Sequence, residues 1–243
     1  PNSGLLKSKL VKNLCEAWGA NDYVYLASEE AAEFIIPKIP SDRWSIWSKF
    51  QQLKIDLVVQ EDKMRKKSIL LADMDSTIIE QECIDELASE IGIGERVKLI
   101  TAEAMNGKLD FEEALIERVS LLNGFSTKII DKVLNERITY MSGASVLLAT
   151  MKANGCYSAL VSGGFTLFTK KIAADLGFDE NHANVLLTSE NKLIGKVQKP
   201  ILGKKAKVEK LDRIASKFNL SARQVIAVGD GANDLDMLSK AGT

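Results

Sequence analysis

The chain has 243 residues, room for one large or two small domains, and its 46% hydrophobic and 27% charged residues are those of an ordinary globular protein. A net charge of -1 gives no electrostatic case for nucleic acid or an anionic membrane surface. No apolar run approaches the roughly 20 residues of a membrane span, so neither nucleic acid nor membrane is an expected partner.

The first residues, PNSGLLKSKL, lack the apolar core of a signal peptide. Three widely spaced cysteines, Cys15, Cys83 and Cys156, suit a reducing cytoplasm and offer no metal cluster. Residues 5–18 carry apolar side chains at 6, 10, 14 and 18, a helical stripe. Strands are expected over 23–26 and 32–36, then a short helix opened by Pro40-Ser41-Asp42, then a strand over 55–59. The order α-β-β-α-β is that of a ferredoxin-like unit lacking its first strand. Residues 1–62 are therefore expected to form a small α+β module, either a ligand-binding one of the ACT type or a lid or oligomerisation piece. The charge run from Glu61 to Lys67 is a solvated linker.

The second domain, expected over 67–243, begins with the apolar run Ile69-Leu70-Leu71-Ala72, which ends in Asp73-Met74-Asp75-Ser76-Thr77. A buried strand that surfaces with acids at its C-terminal end is where open α/β sheets place their chemistry. Residues two apart in a strand point the same way, so Asp73 and Asp75 crowd one volume and need a cation or a shared proton. Helices are expected over 82–91, 95–105, 111–122 and 127–137, an inserted helical cap spanning about 80–138. Strand-helix alternation then returns: a helix from Ser142 to about Ala153, a strand over 157–161 and a helix over 165–176. A hairpin is expected around Ser189-Glu190-Asn191, a helix over 204–218, a strand over 224–228 and a last helix over 232–240. His182 falls in loop-like sequence, which leaves Ser/His and Cys/His chemistries poorly supported. The expected architecture is a doubly wound, Rossmann-like parallel sheet with right-handed crossovers.

Four further constellations bear on chemistry. Val228-Gly229-Asp230-Gly231-Ala232-Asn233-Asp234 follows a second apolar strand, with Asp234 one helical turn beyond Asp230. Two acidic strand ends in one parallel sheet converge on oxygen ligands, and carboxylates without His or Cys match Mg²⁺. Ser162-Gly163-Gly164 ends a strand at an expected helix start, where exposed N–H groups and a hydroxyl suit a phosphate, or simply cap the helix. Lys207 lies on the stripe of Leu211, Ile214 and Phe218, and Lys204 on that of Val208, Leu211 and Ala215. A core-facing lysine needs an anion, and spacing does not choose between phosphate and aspartate. Arg118 falls within the apolar arc of Phe111, Ala114, Leu115, Val119 and Leu122. It needs an anionic partner, either a bound carboxylate or an internal acid such as Glu82 or Glu86. Glu82 could instead take an ammonium group.

Together these residues resemble the haloacid-dehalogenase-type phosphohydrolases, and within them the enzymes that act on phosphoserine. DMDSTIIEQECIDELA, AMNGKLDFEEALIERV, LVSGGF, KAKVEKL and VGDGANDLDML carry the resemblance in order over residues 68–241. It implies that Asp73 is the nucleophile, forming an aspartyl-phosphate. Asp75 is then the acid and base, and its backbone carbonyl joins Asp73 and Asp230 on Mg²⁺, with Asp234 behind them. Ser162, Gly163 and Lys207 hold the phosphoryl group, and Asn233 helps orient the phosphate or its loop. Glu82 and Arg118 read the amino and carboxylate groups of phosphoserine, and Met105 and Phe111 line the cap side. The implied reaction releases serine, the last step of serine biosynthesis, from a small-molecule substrate; a homodimer is compatible with it. The resemblance also implies a further strand and helices after the last helix, beyond Thr243. Rival readings are a phosphatase or phosphotransferase for another phosphomonoester, a receiver domain, and a serine-binding regulator.

Overall fold

The computed structural model describes residues 4–105 and 109–243, the side chains of Ala104 and Met105 excepted. The chain divides into two compact units, Pro1–Arg65 and Lys66–Thr243.

The first unit holds α1 (Ser8–Ala17), β1 (Val24–Ala27), β2 (Ala31–Glu33) and α2 (Arg43–Gln52). Leu14, Trp18 and Phe50 form its core. Strands β1 and β2 pair antiparallel. The strand expected over 55–59 joins no ladder. Its side chains do alternate, with Ile55, Leu57 and Val59 packed on the core and the residues between them exposed. The period of two reports burial, and a strand also needs a neighbour whose backbone is free to bond. Among the described residues the unit therefore has a two-stranded sheet, and the fuller ferredoxin-like sheet is not formed.

The second unit starts with β3 (Ile69–Ala72), followed by cap helices α3 (Cys83–Glu90), α4 (Gly94–Met105), α5 (Phe111–Ser120) and α6 (Lys128–Glu136). Then come α7 (Ala144–Ala153), β4 (Tyr157–Phe165), α8 (Thr166–Leu176), β5 (Glu180–Asn184), β6 (Leu186–Ser189), β7 (Lys192–Val197), α9 (Lys204–Lys217), β8 (Val225–Val228) and α10 (Leu235–Lys240). The main sheet has the order β5-β4-β3-β8 and is parallel throughout. Alternate residues of its strands face opposite layers. Leu70, Ala72 and Leu160 pack with Leu148, Phe168 and Ile172, which belong to α7 and α8. Ile69, Leu71, Ala159, Val161, Val225 and Ala227 pack with Leu211, Ile214 and Met237, which belong to α9 and α10. Helices on both faces make the fold doubly wound.

Three boundaries differ from expectation. Residues 180–184 form the edge strand β5, where loop-like sequence was read; the exposed edge of β4 templates a segment that has little β propensity of its own. Strand β4 runs through Phe165, so Ser162 and Gly163 lie inside a strand and α8 starts only at Thr166. The last helix begins at Leu235, because residues 229–234 are held in a loop by their own side chains.

The cap is tied at its root by a bridge between Ile79 and Tyr140. Arg137 joins α6 to α3 through Glu86 at 3.1 Å and Glu90 at 3.0 Å. Helix α5 starts on a reciprocal capping box, Asp110 accepting from the Glu113 N–H at 2.8 Å and Glu113 from that of Asp110 at 3.2 Å. Strands β6 and β7 form a hairpin whose turn residues Glu190 and Asn191 have φ of 50° and 60°, the left-handed pair that matches strand twist.

Gly195 in β7 is where this hairpin meets the end of α5. Its φ is +67°, and a Cβ there would lie 2.9 Å from Asn123 Cβ and 3.0 Å from Ser120 O. Gly195→Ala is expected to cost about 2 kcal/mol through backbone strain and contact and to lower the melting temperature by roughly 5 °C. An unchanged calorimetric transition would contradict this packing.

Candidate active site

The strand register sets the site. Ala72 lies opposite Leu160 of β4 and opposite Val228 of β8, all three strands running the same way. Asp73 and Asp230 therefore leave the sheet at one end, beside Ser162, which β4 carries past the end of β3. The Asp73 N–H donates to Val228 O at 3.0 Å, extending the ladder by one bond. Carboxylate oxygens of Asp73, Asp230 and Asp234 lie within 4.8 Å of one another.

Lys207 of α9 is fully buried, and its ammonium reaches Asp73 Oδ2 at 2.8 Å and Asp234 Oδ1 at 2.6 Å. Of the anions the sequence left open, the structure gives it aspartate; Lys204 is exposed. The second oxygen of Asp234 accepts from the Gly231 N–H at 3.1 Å. Gly229 allows this fold-back, since a Cβ there would lie 2.4 Å from Asp234 Cγ. Asn233 lies over Gly231, whose Cβ would fall 2.2 Å from Asn233 Oδ1. Asp230 is exposed, and one of its oxygens accepts from the Thr77 hydroxyl at 2.8 Å.

Asp75 does not share the partners of Asp73 as the strand spacing predicts, because β3 stops at Ala72 and the chain turns, leaving Asp75 among neutral donors. It accepts from the Cys83 N–H at 2.9 Å and from the Ser162 hydroxyl at 3.0 Å. Ser162 Oγ itself accepts from the Gly164 N–H at 2.8 Å. A Cβ at Gly164 would lie 2.6 Å from Asp75 Oδ2, so only glycine leaves room for this contact.

The cap closes on the same place. The Phe111 ring, at the start of α5, would be 2.9 Å from a Cβ on Gly163 and 3.4 Å from one on Gly203. Glu82 precedes α3 and accepts from the Ser76 hydroxyl at 2.7 Å; Ser76 has φ of 53°. Arg118 is half-buried and its Nε donates to Ala114 O at 3.1 Å. It makes no ion pair among the described residues: Glu86 is taken by Arg137 and Glu82 by Ser76. The Met105 side chain lies outside the described residues.

Burial dominates the electrostatics. It pushes the Asp73 carboxyl up to about 7, against the nearby Lys207 ammonium, which holds it down. It also raises Asp75, against the hydrogen bonds from Cys83 and Ser162. Glu82 is pushed up to about 7 by burial and then by the charge of Asp75. Arg118 is pushed down by burial, offset first by Asp85. Around Asp73, three carboxylates face one ammonium, which leaves two negative charges in a small volume. A donor set of carboxylates alone fits a hard divalent cation of the Mg²⁺ class.

Several members of this site carry no sequence signal. Asn184 is buried and bonds Gly163 O at 2.8 Å, Leu202 O at 3.2 Å and the Leu202 N–H at 2.7 Å, fixing the loops beneath Phe111. Thr77 and Ser76 lie within the acidic stretch but their partners are distant in sequence or turn-dependent. Asp85 has a buried oxygen without a partner.

The profile of a family described as haloacid dehalogenase-like hydrolase matches residues 70–239. The chain belongs to the haloacid dehalogenase-like hydrolases. It is similar to a phosphoserine phosphatase of Methanocaldococcus jannaschii, 44% identical over 178 residues, 73% of this chain and 84% of that protein. One of Lactococcus lactis is 45% identical over 179 residues, 74% of this chain and 82% of that protein. A solved structure of a haloacid dehalogenase family hydrolase from Salmonella enterica serovar Typhi covers 97% of this chain and 83% of its own, at 30% identity and a TM-score of 0.86. A phospho-aspartyl intermediate analogue of phosphoserine phosphatase covers 73% and 85%, at 44% identity and a TM-score of 0.68. This haloacid dehalogenase-like chain is a phosphatase.

The buried lysine makes a stability prediction. Lys207→Ala leaves Asp73 and Asp234 without their shared cation and should cost about 3–5 kcal/mol in urea unfolding at pH 8. The sign with pH follows from Asp73. Its folded value, about 7, lies above the unfolded 3.8, so the folded state binds the extra proton in between. Stability from that group is present below the unfolded value and is lost as pH rises through the folded one. The Lys207→Ala deficit should therefore shrink at pH 5.5. A deficit that grows on acidification would contradict the pairing.

Proposed function

We propose that the chain is a Mg²⁺-dependent phosphoserine phosphatase acting through an aspartyl-phosphate on Asp73. The observation that carries this is the convergence of two acidic strand ends on Lys207, beneath a cap that presents an Arg118 without a carboxylate partner among the described residues. The names of similar proteins, phosphoserine phosphatases at 44% and 45% identity, support the substrate.

In this chemistry a carboxylate oxygen of Asp73 attacks phosphorus while the bond from phosphorus to the serine oxygen breaks. Asp75 gives its proton to that leaving oxygen; its raised carboxyl suits an acid that must hold a proton near neutral pH. Water then attacks the same phosphorus and gives its proton to Asp75, and the bond to Asp73 breaks, releasing phosphate and restoring both groups. The Ser162 hydroxyl and the Gly163 N–H would hold phosphoryl oxygens, and Lys207 offsets their charge. Asn233 would keep the loop in place. Asp73, Asp230 and the Asp75 carbonyl would hold Mg²⁺, with Asp234 behind them. When bound, Mg²⁺ would offset the charge of the carboxylates and of the phosphoryl group. Arg118 would take the substrate carboxylate and Glu82 its ammonium, whose charge would keep Glu82 ionised. Phe111 and Met105 would line the cap side.

Phosphate release from phosphoserine tests this. Turnover should require Mg²⁺ and vanish in Asp73→Asn. Arg118→Ala should raise KM for phosphoserine at least about tenfold, the value of a charge-assisted hydrogen bond, and affect an aryl phosphate far less. Equal losses on both substrates would favour a different phosphomonoester. A cytoplasmic location is supported by three free, buried cysteines. Among the described residues no helix is long and apolar enough to cross a membrane.

For residues 1–62 the supporting observation is a cavity of about 850 Å³ whose lining includes Leu14, Trp18, Phe34, Phe50 and Leu57. We infer a small-ligand module, its sheet reduced to the β1-β2 pair from the full ferredoxin-like sheet of the ACT type. Calorimetry of the Arg118→Ala chain with serine should show heat that Trp18→Ala removes. Absence of heat would leave the unit a lid or oligomerisation piece.

A further inference from the structure

Two opposite charges on the cap are left unmatched by the chemistry above. Asp85, in the first turn of α3, buries Oδ1 with no hydrogen-bond partner among the described residues. A buried acceptor in that state has given up its hydration for no partner, a cost that grows when the group is ionised. Arg118 spends its Nε on Ala114 O at 3.1 Å, and the rest of its guanidinium meets no carboxylate among the described residues. The neighbouring groups that could serve either one are engaged. Glu86 and Glu90 hold Arg137 at 3.1 and 3.0 Å, and Lys98 sits on Glu95 at 2.8 Å. Glu82 accepts from Ser76 and Asp75 from Cys83 and Ser162. Each of the two is the other's leading opposite charge: Arg118 most strongly lowers Asp85, and Asp85 most strongly raises Arg118. They nevertheless form no direct ion pair.

We propose that Asp85 is a positioning residue that holds the Arg118 guanidinium in the orientation that receives the substrate's carboxylate. The inference rests on the role given to Arg118 under the proposed function. A guanidinium is a planar fork of five N–H donors. With Nε–H on Ala114, two terminal nitrogens remain. One edge meets the bound carboxylate and the other meets Asp85, which thereby gains the donor its buried oxygen lacks. Two carboxylates across one guanidinium fix its plane, and a fixed plane is what bidentate recognition requires. Asp85 acts through Arg118 and touches neither phosphorus nor the substrate ammonium.

The test is a KM and kcat comparison of wild type, Asp85→Asn and Asp85→Glu on three phosphomonoesters. These are O-phosphoserine, O-phosphoethanolamine (amine without carboxylate) and 3-phosphooxypropanoate (carboxylate without amine). Asp85→Asn is expected to raise KM about tenfold for the two carboxylates, with kcat changed less than about twofold and phosphoethanolamine unaffected. Asp85→Glu should recover part of the loss. In an Arg118→Gln background, Asp85→Asn should add nothing. A loss that follows the amine, a loss equal on all three substrates, or no loss at all overturns the proposal. Should Asp85→Asn fail to fold, Asp85→Ser carries the same comparison. A wild type without preference for phosphoserine over phosphoethanolamine overturns the substrate reading and this inference with it. A clear wild-type preference with an Asp85 effect independent of substrate overturns this inference alone.

Discussion

A single buried ammonium sets the geometry of the catalytic unit. Lys207 is fully enclosed, and an enclosed ammonium persists only where its charge is met by carboxylates at hydrogen-bond distance. Asp73 and Asp234 meet it at 2.8 and 2.6 Å. The three groups come from α9, from the end of β3 and from the loop after β8. Their contact thus fixes a helix and two strand ends against one another, and the parallel register of β3 and β8 brings the acids to the same edge. The balance is incomplete by design of the residues present: one ammonium cannot neutralise Asp73, Asp230 and Asp234 together. Burial raises Asp73 while Lys207 holds it down, and the charge of Asp234 raises it further. A second cation is the simplest way for all three acids to be ionised at neutral pH.

The second constraint is close approach. The loops around the acids touch side chains at distances that a methyl group would prevent. Gly164 lies against Asp75, Gly229 against Asp234, and Gly163 against Phe111 of the cap. Asn184 then ties Gly163 to Leu202, so the floor beneath Phe111 is bonded across two loops. The cap therefore rests on a rigid surface. Small displacements of α5, which carries both Phe111 and Arg118, would be felt at Ser162 and Gly163 within the same contact.

What the sequence makes legible here is local. Ile69–Ala72 and Val225–Val228 are short unbroken apolar runs followed by acids, and that composition and length suffice to read them as buried strands that deliver carboxylates at their C-terminal ends. Helix stripes place both Lys204 and Lys207 on the inward side of α9, but only Lys207 is buried, because its partners, 134 and 27 residues away in the chain, draw it in. Residues 180–184, Glu-Asn-His-Ala-Asn, carry no strand signal. Their state is imposed by pairing with β4 and by the bonds of Asn184, which are tertiary facts. The reverse holds for residues 55–59, whose alternation was read as a strand. Their burial alternates as expected, but no neighbouring backbone completes a ladder. Ser162-Gly163-Gly164 follows an apolar run and precedes a helical segment, which places it at a helix start; in the fold it continues the strand through a bulge.

Two aspartates two residues apart are given different tasks by what surrounds them. Both are lifted by burial, so burial cannot be the distinction. Asp73 has an ammonium at 2.8 Å and two further carboxylates close by, an environment in which a bound cation favours the ionised form. Asp75 has a backbone N–H and a hydroxyl, neutral donors that orient its oxygens without supplying a full charge. The first environment suits a nucleophile that must attack as a carboxylate. The second suits a group that exchanges a proton and returns to its starting state. Strand β3 ends at Ala72, and the turn that follows it carries Asp73 to Lys207 and Asp75 to Ser162, which is sufficient to separate the two halves of the proposed reaction.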